Sequence, residues 1–301
     1  MDGVHLALSV ISFLCLLVGA PLNFLALSYF TRNNSRTLAN KIFAIVSAID
    51  AILCLSMLYT FAALVLELDM DTAIHSSLCQ IHCWIWNIFS RLSLFLSSVL
   101  SVMRATSVYN PFTNIPNKPI IVLVVLEFLY LVLFECSPDF SSHRIMTFTY
   151  GVCDWTTSFE VRKPYHLFYS LSYYLPIILT IGSSLASLCL LRRNRENFSE
   201  LQGEEAETYK NHCYASNTIS IIVIIYVVCN VPYAFMLMVV DIEILTGLQT
   251  LRLIVFGGAH VELQSFGSVY LVAVNAALTP FVFIMRLREF RYCVKRWLLL
   301  L

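Results

Sequence analysis

Long hydrophobic runs, separated by short polar stretches, dominate the chain. A helix needs about 20 apolar residues to cross the roughly 30 Å hydrocarbon core of a bilayer. Seven runs reach that length, at about 4–30, 38–66, 79–109, 119–137, 165–191, 216–240 and 259–285. The pattern predicts an all-α membrane protein whose single domain, residues 1–301, is a seven-transmembrane helix bundle.

The segment 286–301 that follows the last run is amphipathic. Its basic residues fall outside a stripe formed by Leu287, Phe290, Val294, Trp297, Leu298 and Leu301. Such a segment favours a C-terminal amphipathic helix lying on the membrane surface. Cys293 borders the stripe and is a candidate palmitoylation site.

Composition supports a lipid environment. The chain is 58% hydrophobic and 13% charged, with a mean hydropathy of +0.76, whereas soluble domains average about 25% charged residues. Its net charge of zero argues against nucleic-acid binding. No phosphate-binding loop, zinc motif or nucleophile motif occurs, so we expect neither an enzyme nor an organic cofactor. The first run is too long for a cleaved signal peptide and is expected to be retained.

The basic residues indicate the orientation in the membrane. Fourteen Lys and Arg residues lie on one side of the predicted spans and four on the other. Because positive charges accumulate in cytoplasmic loops, we expect an extracellular N-terminus and a cytoplasmic C-terminus. The chain is therefore expected in the plasma membrane, surrounded by membrane lipid.

Several single residues within or just after the apolar runs are informative. Arg104 closes the third run, and Pro111 follows it in a Tyr-Asn-Pro-Phe turn. Cys79 lies twenty-five residues before Arg104, which is about one membrane crossing of helix. The remaining anchors are Asn23, Asp50, Pro176, Pro232 and Pro280.

This set, in this order, resembles the rhodopsin-like (class A) G-protein-coupled receptors, including their neuropeptide-type and chemosensory members. The chain departs from the family pattern at several positions. Met103 replaces the acid that precedes the family arginine, Asn230 replaces a Trp, and Thr279 and Phe283 replace Asn and Tyr. The resemblance implies a receptor that binds an extracellular ligand and activates a heterotrimeric G protein, with Arg104, Pro232 and Pro280 serving the coupling and the conformational switch.

The resemblance also implies a disulfide between Cys79 and Cys153, with Cys83 and Cys136 as rivals. The stretch from Ile145 to Val152, which precedes Cys153, is rich in β-branched and aromatic residues and favours a short hairpin.

A sodium site is a further implication of the resemblance. Its residues are Asp50, Ser93, Asn275 and Thr279, and the alternative is a protonated Asp50 hydrogen-bonded to neighbouring helices.

The predicted ligand pocket combines faces of four helices. By analogy with the family, it is formed by Trp86, Asn87, Ser90, Arg91, Tyr169, Asn230, Tyr233, Phe266 and Tyr270. Some of these side chains, Ser90 and Phe266 first, are expected to serve interhelical packing instead. Arg91 and Glu127 are both charges inside spans, and we expect them to pair structurally rather than to contact a ligand.

Three features bear on the ligand. No lysine lies in the middle of the seventh run, which excludes an opsin, and Trp86 replaces the Asp of amine receptors. The hairpin and five acids expected to face outward favour a basic peptide by a small margin: Glu67, Asp69, Asp71, Asp241 and Glu243. The short N-terminal segment favours a small organic, lipid or odorant ligand instead. A seven-helix channel or transporter is a remote alternative.

This chain is unusual at the two positions where the resembled family has acids that restrain the helix-3 arginine, here Arg104. In the resembled family an acid beside the arginine, and often a second at the foot of helix 6, restrains it in the resting state. This chain has Met103 and His212 at those positions. We therefore expect measurable ligand-free signalling.

Overall fold

The computed structural model describes residues 3–32, 38–66, 73–109, 117–135, 144–149, 152–157, 159–199, 204–247, 254–255 and 266–299. The described chain is almost entirely helical, with one two-stranded sheet. We number the helices α1 to α8 along the chain.

Helix α1 is continuous but irregular. It comprises an α-helix Gly3–Leu14, a π-helical turn Cys15–Gly19 and an α-helix Ala20–Arg32. Pro21 explains the π turn, because proline has no N–H to donate to the carbonyl four residues earlier. The N–H of Ala20 instead donates to the carbonyl of Cys15, one residue further back than in an α-helix.

The other long helices cover the remaining apolar runs. They are α2 Leu38–Val65, α3 Ala73–Tyr109, α4 Asn117–Glu135, α5 Phe159–Ser199, α6 Glu204–Thr246 and α7, which has a π turn Phe266–Tyr270 before an α-helix Leu271–Arg286. Helix α8 is Arg288–Leu298. Helices α3, α5 and α6 extend beyond the hydrophobic runs because i→i−4 hydrogen bonds continue into polar sequence. The start predicted for the seventh run lies outside the described residues.

Six helices in the described part of the chain are long and apolar enough to cross a membrane: α1, α2, α3, α5, α6 and α7. Helix α4 is outside that set, and its 19 residues include Lys118, Glu127 and Glu135. Many large apolar side chains of α4 and α5 point away from the bundle, among them Leu133, which is 71% exposed. Exposed apolar surface on this scale is typical of a protein solvated by lipid.

The predicted hairpin is confirmed. Strand β1, Arg144–Thr149, pairs antiparallel with β2, Val152–Thr157, and Phe148 lies opposite Cys153. A disulfide joins Cys153 to Cys79 near the start of α3. Cys83 is buried as a free thiol, which removes it as a rival, and Cys136 lies outside the described residues.

Two apolar clusters form most of the core. The first packs α1, α2, α3 and α7 around fully buried side chains such as Leu53, Met57 and Leu96. The second packs α3, α5 and α6 around Tyr173 and Tyr226. Together they place α3 at the centre of the bundle, in contact with both halves.

Asn23 joins α1 to α7. Its amide nitrogen donates to the carbonyl oxygens of Gly19, at 3.0 Å, and Ala276, at 2.9 Å. Gly19 permits this approach, because an added Cβ would lie 2.8 Å from the Cβ of Ala277 and from the Sγ of Cys54.

Candidate functional site

The structure brings part of the predicted pocket together on the hairpin side of the bundle. The hydroxyl of Tyr169 on α5 donates to Oδ1 of Asn87 on α3 at 3.0 Å. The same hydroxyl lies 3.1 Å from the hydroxyl of Tyr233 on α6. Three helices therefore meet at three buried or partly buried polar groups.

Tyr173 belongs to this group, although the sequence analysis did not single it out. Its hydroxyl lies 3.2 Å from that of Ser90, and its ring packs against Tyr169 and Tyr233 with centroids 5.4 and 5.2 Å apart. The signal was available in the sequence, since Tyr169 and Tyr173 are four residues apart and share a helix face. The Ser90 hydroxyl on α3 therefore contacts a side chain of α5.

The charge partner of Arg91 differs from the one expected. Arg91 pairs with Glu135, the last residue of α4, and both side chains are fully buried. Glu127 is only half-buried and lies eight residues before Glu135, about 12 Å along the helix. Our prediction of Glu127 as the partner was wrong, because the packing of α4 against α3 brings Glu135 rather than Glu127 to the guanidinium.

Further contacts fix the guanidinium of Arg91. Its Nε donates to the carbonyl oxygen of Asn87 at 2.7 Å. Its central carbon lies 4.8 Å from the ring centroid of Tyr169 and 5.7 Å from that of Phe134. A cation enclosed by aromatic rings and matched by a carboxylate is suited to joining helices.

The remaining predicted pocket residues lie elsewhere in the packing. Trp86 and Tyr270 belong to the cluster between α1, α2, α3 and α7 rather than to the tyrosine group. Asn230 donates its amide to the carbonyl of Tyr226 within α6. Phe266 is 38% exposed and stacks on Tyr270. The predicted pocket is thus divided between the two halves of the bundle.

A buried histidine holds Trp86. The indole Nε1 of Trp86 donates to Nε2 of His82 at 2.8 Å, and the Thr60 hydroxyl lies 3.1 Å from the same nitrogen. Because the indole is only a donor, Nε2 must be the unprotonated nitrogen of the imidazole. Tyr59 packs on this ring, and its hydroxyl lies 3.2 Å from Cys153 Sγ. His82 therefore links α2, α3 and the disulfide.

The proposed sodium ligands meet in the middle of the bundle. The Ser93 hydroxyl donates to Oδ1 of Asp50 at 3.2 Å, and Asp50 is 1% exposed. A cavity of about 20 Å³ lies between these residues and Asn275 and Thr279. A space of that size holds one water molecule or one small cation. The cavity wall is largely apolar, with Phe43, Val46, Leu100 and Ile222 among its residues. The oxygens of Asp50, Ser93, Asn275 and Thr279 are of the kind that hard cations prefer.

At the end opposite the hairpin, Arg104 is largely buried at 9% exposure. Three apolar and hydroxyl side chains of α3, Ser97, Leu100 and Ser101, face Ile222 and Val223 of α6 across a small cavity. Pro232 and Pro280 lie inside α6 and α7 respectively.

An aromatic cluster joins α1, α2, α7 and α8 at the same end. Phe283 packs edge-on against Phe30, Phe43 and Phe290, with centroids 5.1 to 6.2 Å apart. In α8, Phe290 and Val294 are buried, whereas the thiol of Cys293 is exposed.

Comparison with known proteins gives a result for the fold alone. No protein-family model and no curated protein matches the sequence. The structure is similar to the crystal structure of squid rhodopsin, with a TM-score of 0.76 over 99% of this chain and 87% of that chain, at 15% sequence identity. The chain therefore has the fold of the rhodopsin-like G-protein-coupled receptors.

Proposed function

We propose that this chain is a receptor of the plasma membrane that binds an extracellular ligand and activates a heterotrimeric G protein. The observation that carries the proposal is the position of Arg104 within this fold. It lies toward the end of α3 farthest from the Cys79–Cys153 disulfide, three residues beyond Ser101, which lines the small cavity between α3 and α6. An arginine there is placed to meet a partner when α6 moves away from α3.

The proposed topology has seven spans, α1 to α7, with α4 as the fourth. The hairpin faces the outside of the cell, and Arg104 faces the cytosol. Helix α8 would lie on the inner membrane surface, where exposed Arg291 and Lys295 meet anionic headgroups. The exposed thiol of Cys293 is accessible for palmitoylation in that arrangement.

Peptides and small molecules are the two candidate ligand classes. The burial of two acidic side chains favours a small molecule over a basic peptide. Asp241 and Glu243, expected to face outward, are only 7% and 5% exposed. Asp241 also accepts a hydrogen bond of 2.7 Å from the hydroxyl of Tyr174. These two acids therefore contribute little to a surface for a basic peptide, and the other three lie outside the described residues.

The chemistry of the tyrosine group supports a small uncharged ligand. Ligand sites are usually apolar or aromatic with a few placed polar groups. Asn87, Tyr169 and Tyr233 supply an amide and two hydroxyls, and the charge of Arg91 is already matched by Glu135. We infer a small organic ligand with an uncharged hydrogen-bonding group, and a basic peptide is the second candidate.

A sodium ion would bind to the receptor in its resting state. Asp50, Ser93, Asn275 and Thr279 would hold it, and its charge would offset the buried carboxylate of Asp50.

The test is a ligand screen in cells that express the chain together with a G-protein dissociation reporter. We expect at least one compound to cause dissociation, and Arg104→Ala to abolish that response at equal surface expression. Ion current or solute uptake without G-protein dissociation would instead establish a channel or transporter.

A further inference from the structure

A third cysteine lies beside the disulfide that holds the hairpin. Cys83 packs in one buried cluster with Cys79 and Cys153, and the three side chains are 2%, 0% and 4% exposed. Cys83 keeps its thiol, whereas the other two cysteines are joined to each other. The cluster therefore holds a thiol next to a disulfide, the pair of groups that thiol–disulfide exchange requires.

The spacing of Cys79 and Cys83 offers Cys153 two partners on α3. The two residues are four apart in the helix, so they share one face and their Cβ atoms lie about 5–6 Å apart. A disulfide between Cys79 and Cys83 themselves is unfavourable, because it needs Cβ atoms at about 3.5–4.5 Å. A shift of Cys153 by about one turn of α3, roughly 6 Å, carries it from the first partner to the second.

Two polar side chains contact the sulfurs that would join. The hydroxyl of Tyr59 lies 3.2 Å from Sγ of Cys153, and it must be the donor, because a disulfide sulfur has no hydrogen. The amide nitrogen of Asn87 donates to Sγ of Cys83 at 3.5 Å. The thiolate is the form that attacks a disulfide, and a donor beside the sulfur offsets its negative charge.

We propose that Cys83 is a second attachment point for Cys153, which the hairpin reaches by thiol–disulfide exchange. Cys83 attacks Sγ of Cys153 as the thiolate. The Cys83–Cys153 bond forms, the Cys79–Cys153 bond breaks, and the sulfur of Cys79 takes up the proton that Cys83 gave up. No electron is gained or lost overall, so the step needs no outside oxidant or reductant.

The exchange would change the hairpin side of the candidate site. Asn87 lies between the cluster and the tyrosine group, because its amide nitrogen bonds to Cys83 and its Oδ1 accepts from Tyr169. Attachment at Cys83 places β2 about one helical turn further along α3, closer to Asn87. One covalent exchange thus gives the hairpin two positions over this end of the bundle.

The experiment identifies which cysteine is linked to Cys153. The full chain is purified in detergent and quenched in acid, where thiolates are absent and exchange stops. It is then digested with pepsin, and the disulfide-linked peptides are fragmented in a mass spectrometer to locate the linked residues. We expect Cys79–Cys153 as the main linkage and Cys83–Cys153 at roughly 1–10%, as for a minor state in equilibrium with a major one.

Three single substitutions sharpen the measurement. Cys79→Ser should transfer the linkage to Cys83, and Cys83→Ser should remove the minor linkage while Cys79–Cys153 remains. The matched control is Cys229→Ser, which removes another buried thiol, on α6, and should preserve both linkages.

Two results would overturn the proposal. The first is the absence of the Cys83–Cys153 peptide from the unsubstituted chain, a measurement that stands even where Cys79→Ser fails to fold. The second is a Cys79→Ser chain that reaches the cell surface with Cys153 unlinked. Neither measurement uses a ligand or a G protein, so a failure of the proposed receptor function would leave the exchange unaffected.

Discussion

Arg91 of α3 and Glu135 of α4 form a fully buried ion pair that joins the two helices. Neither charged side chain could be buried at low cost without the other. Removing one partner of such a pair costs about 3–5 kcal/mol, because the other charge stays buried without its match. Replacing both with apolar side chains of similar size is much less costly. The pair therefore makes a specific prediction for paired substitutions.

We expect Glu135→Gln and Arg91→Met each to lower the thermal midpoint of the detergent-solubilised protein strongly, and Arg91→Met/Glu135→Leu to recover most of the loss. The control is Glu127→Gln, which changes the other acid of α4 and should shift the midpoint little. If Glu127→Gln were as damaging as Glu135→Gln, the pairing described here would be wrong.

Two glycines offer an internal comparison of helix packing. A Cβ at Gly19 would lie 2.8 Å from both Ala277 and Cys54, whereas a Cβ at Gly182 of α5 would meet nothing within 4 Å. Overpacking costs about 1–3 kcal/mol, and alanine in an open helix position gains up to about 1 kcal/mol over glycine.

Gly19→Ala should therefore lower the thermal midpoint, and Gly182→Ala should leave it unchanged or raise it. Equal shifts in the two variants would show that α1 does not approach α7 as closely as the structure has it.

The sodium site predicts ion-specific stabilisation. Sodium chloride should raise the thermal midpoint of the ligand-free protein more than choline chloride at the same ionic strength, because only the small cation fits among the oxygens around Asp50. Asp50→Asn should abolish the difference between the salts. The control is Ser47→Ala, which alters a buried hydroxyl of the same helix outside the cavity lining and should preserve the sodium effect.

The residue beside Arg104 predicts ligand-free signalling. The acid found there in the resembled family is Met103 in this chain. A restraining charge pair at a water-facing edge contributes about 1 kcal/mol, so its loss raises the active population several-fold. Cells expressing the chain should show basal G-protein dissociation above mock-transfected cells, and Met103→Asp should reduce it at equal surface expression.

The absence of basal signalling would be explained by two other substitutions in this chain. Basal dissociation equal to mock-transfected cells and unaltered by Met103→Asp would mean that Thr279 and Phe283, which replace the Asn and Tyr of the family, weaken the active state by as much.

The sequence by itself located the helices and some of the features that connect them. Apolar runs mark helices because transfer of each side chain into lipid is a local property of that residue. The hairpin before Cys153 followed from local composition. The resemblance to a receptor family supplied the disulfide.

Only the tertiary structure decided which side chains meet. It chose Glu135 over Glu127 for Arg91, buried Asp241 and divided the predicted pocket between two halves of the bundle. A rotation of about 100° per residue and a rise of 1.5 Å set the direction of each side chain within its own helix. The relative rotation and axial shift of two helices depend on packing over their whole length, so a pattern read along one chain cannot assign partners across them.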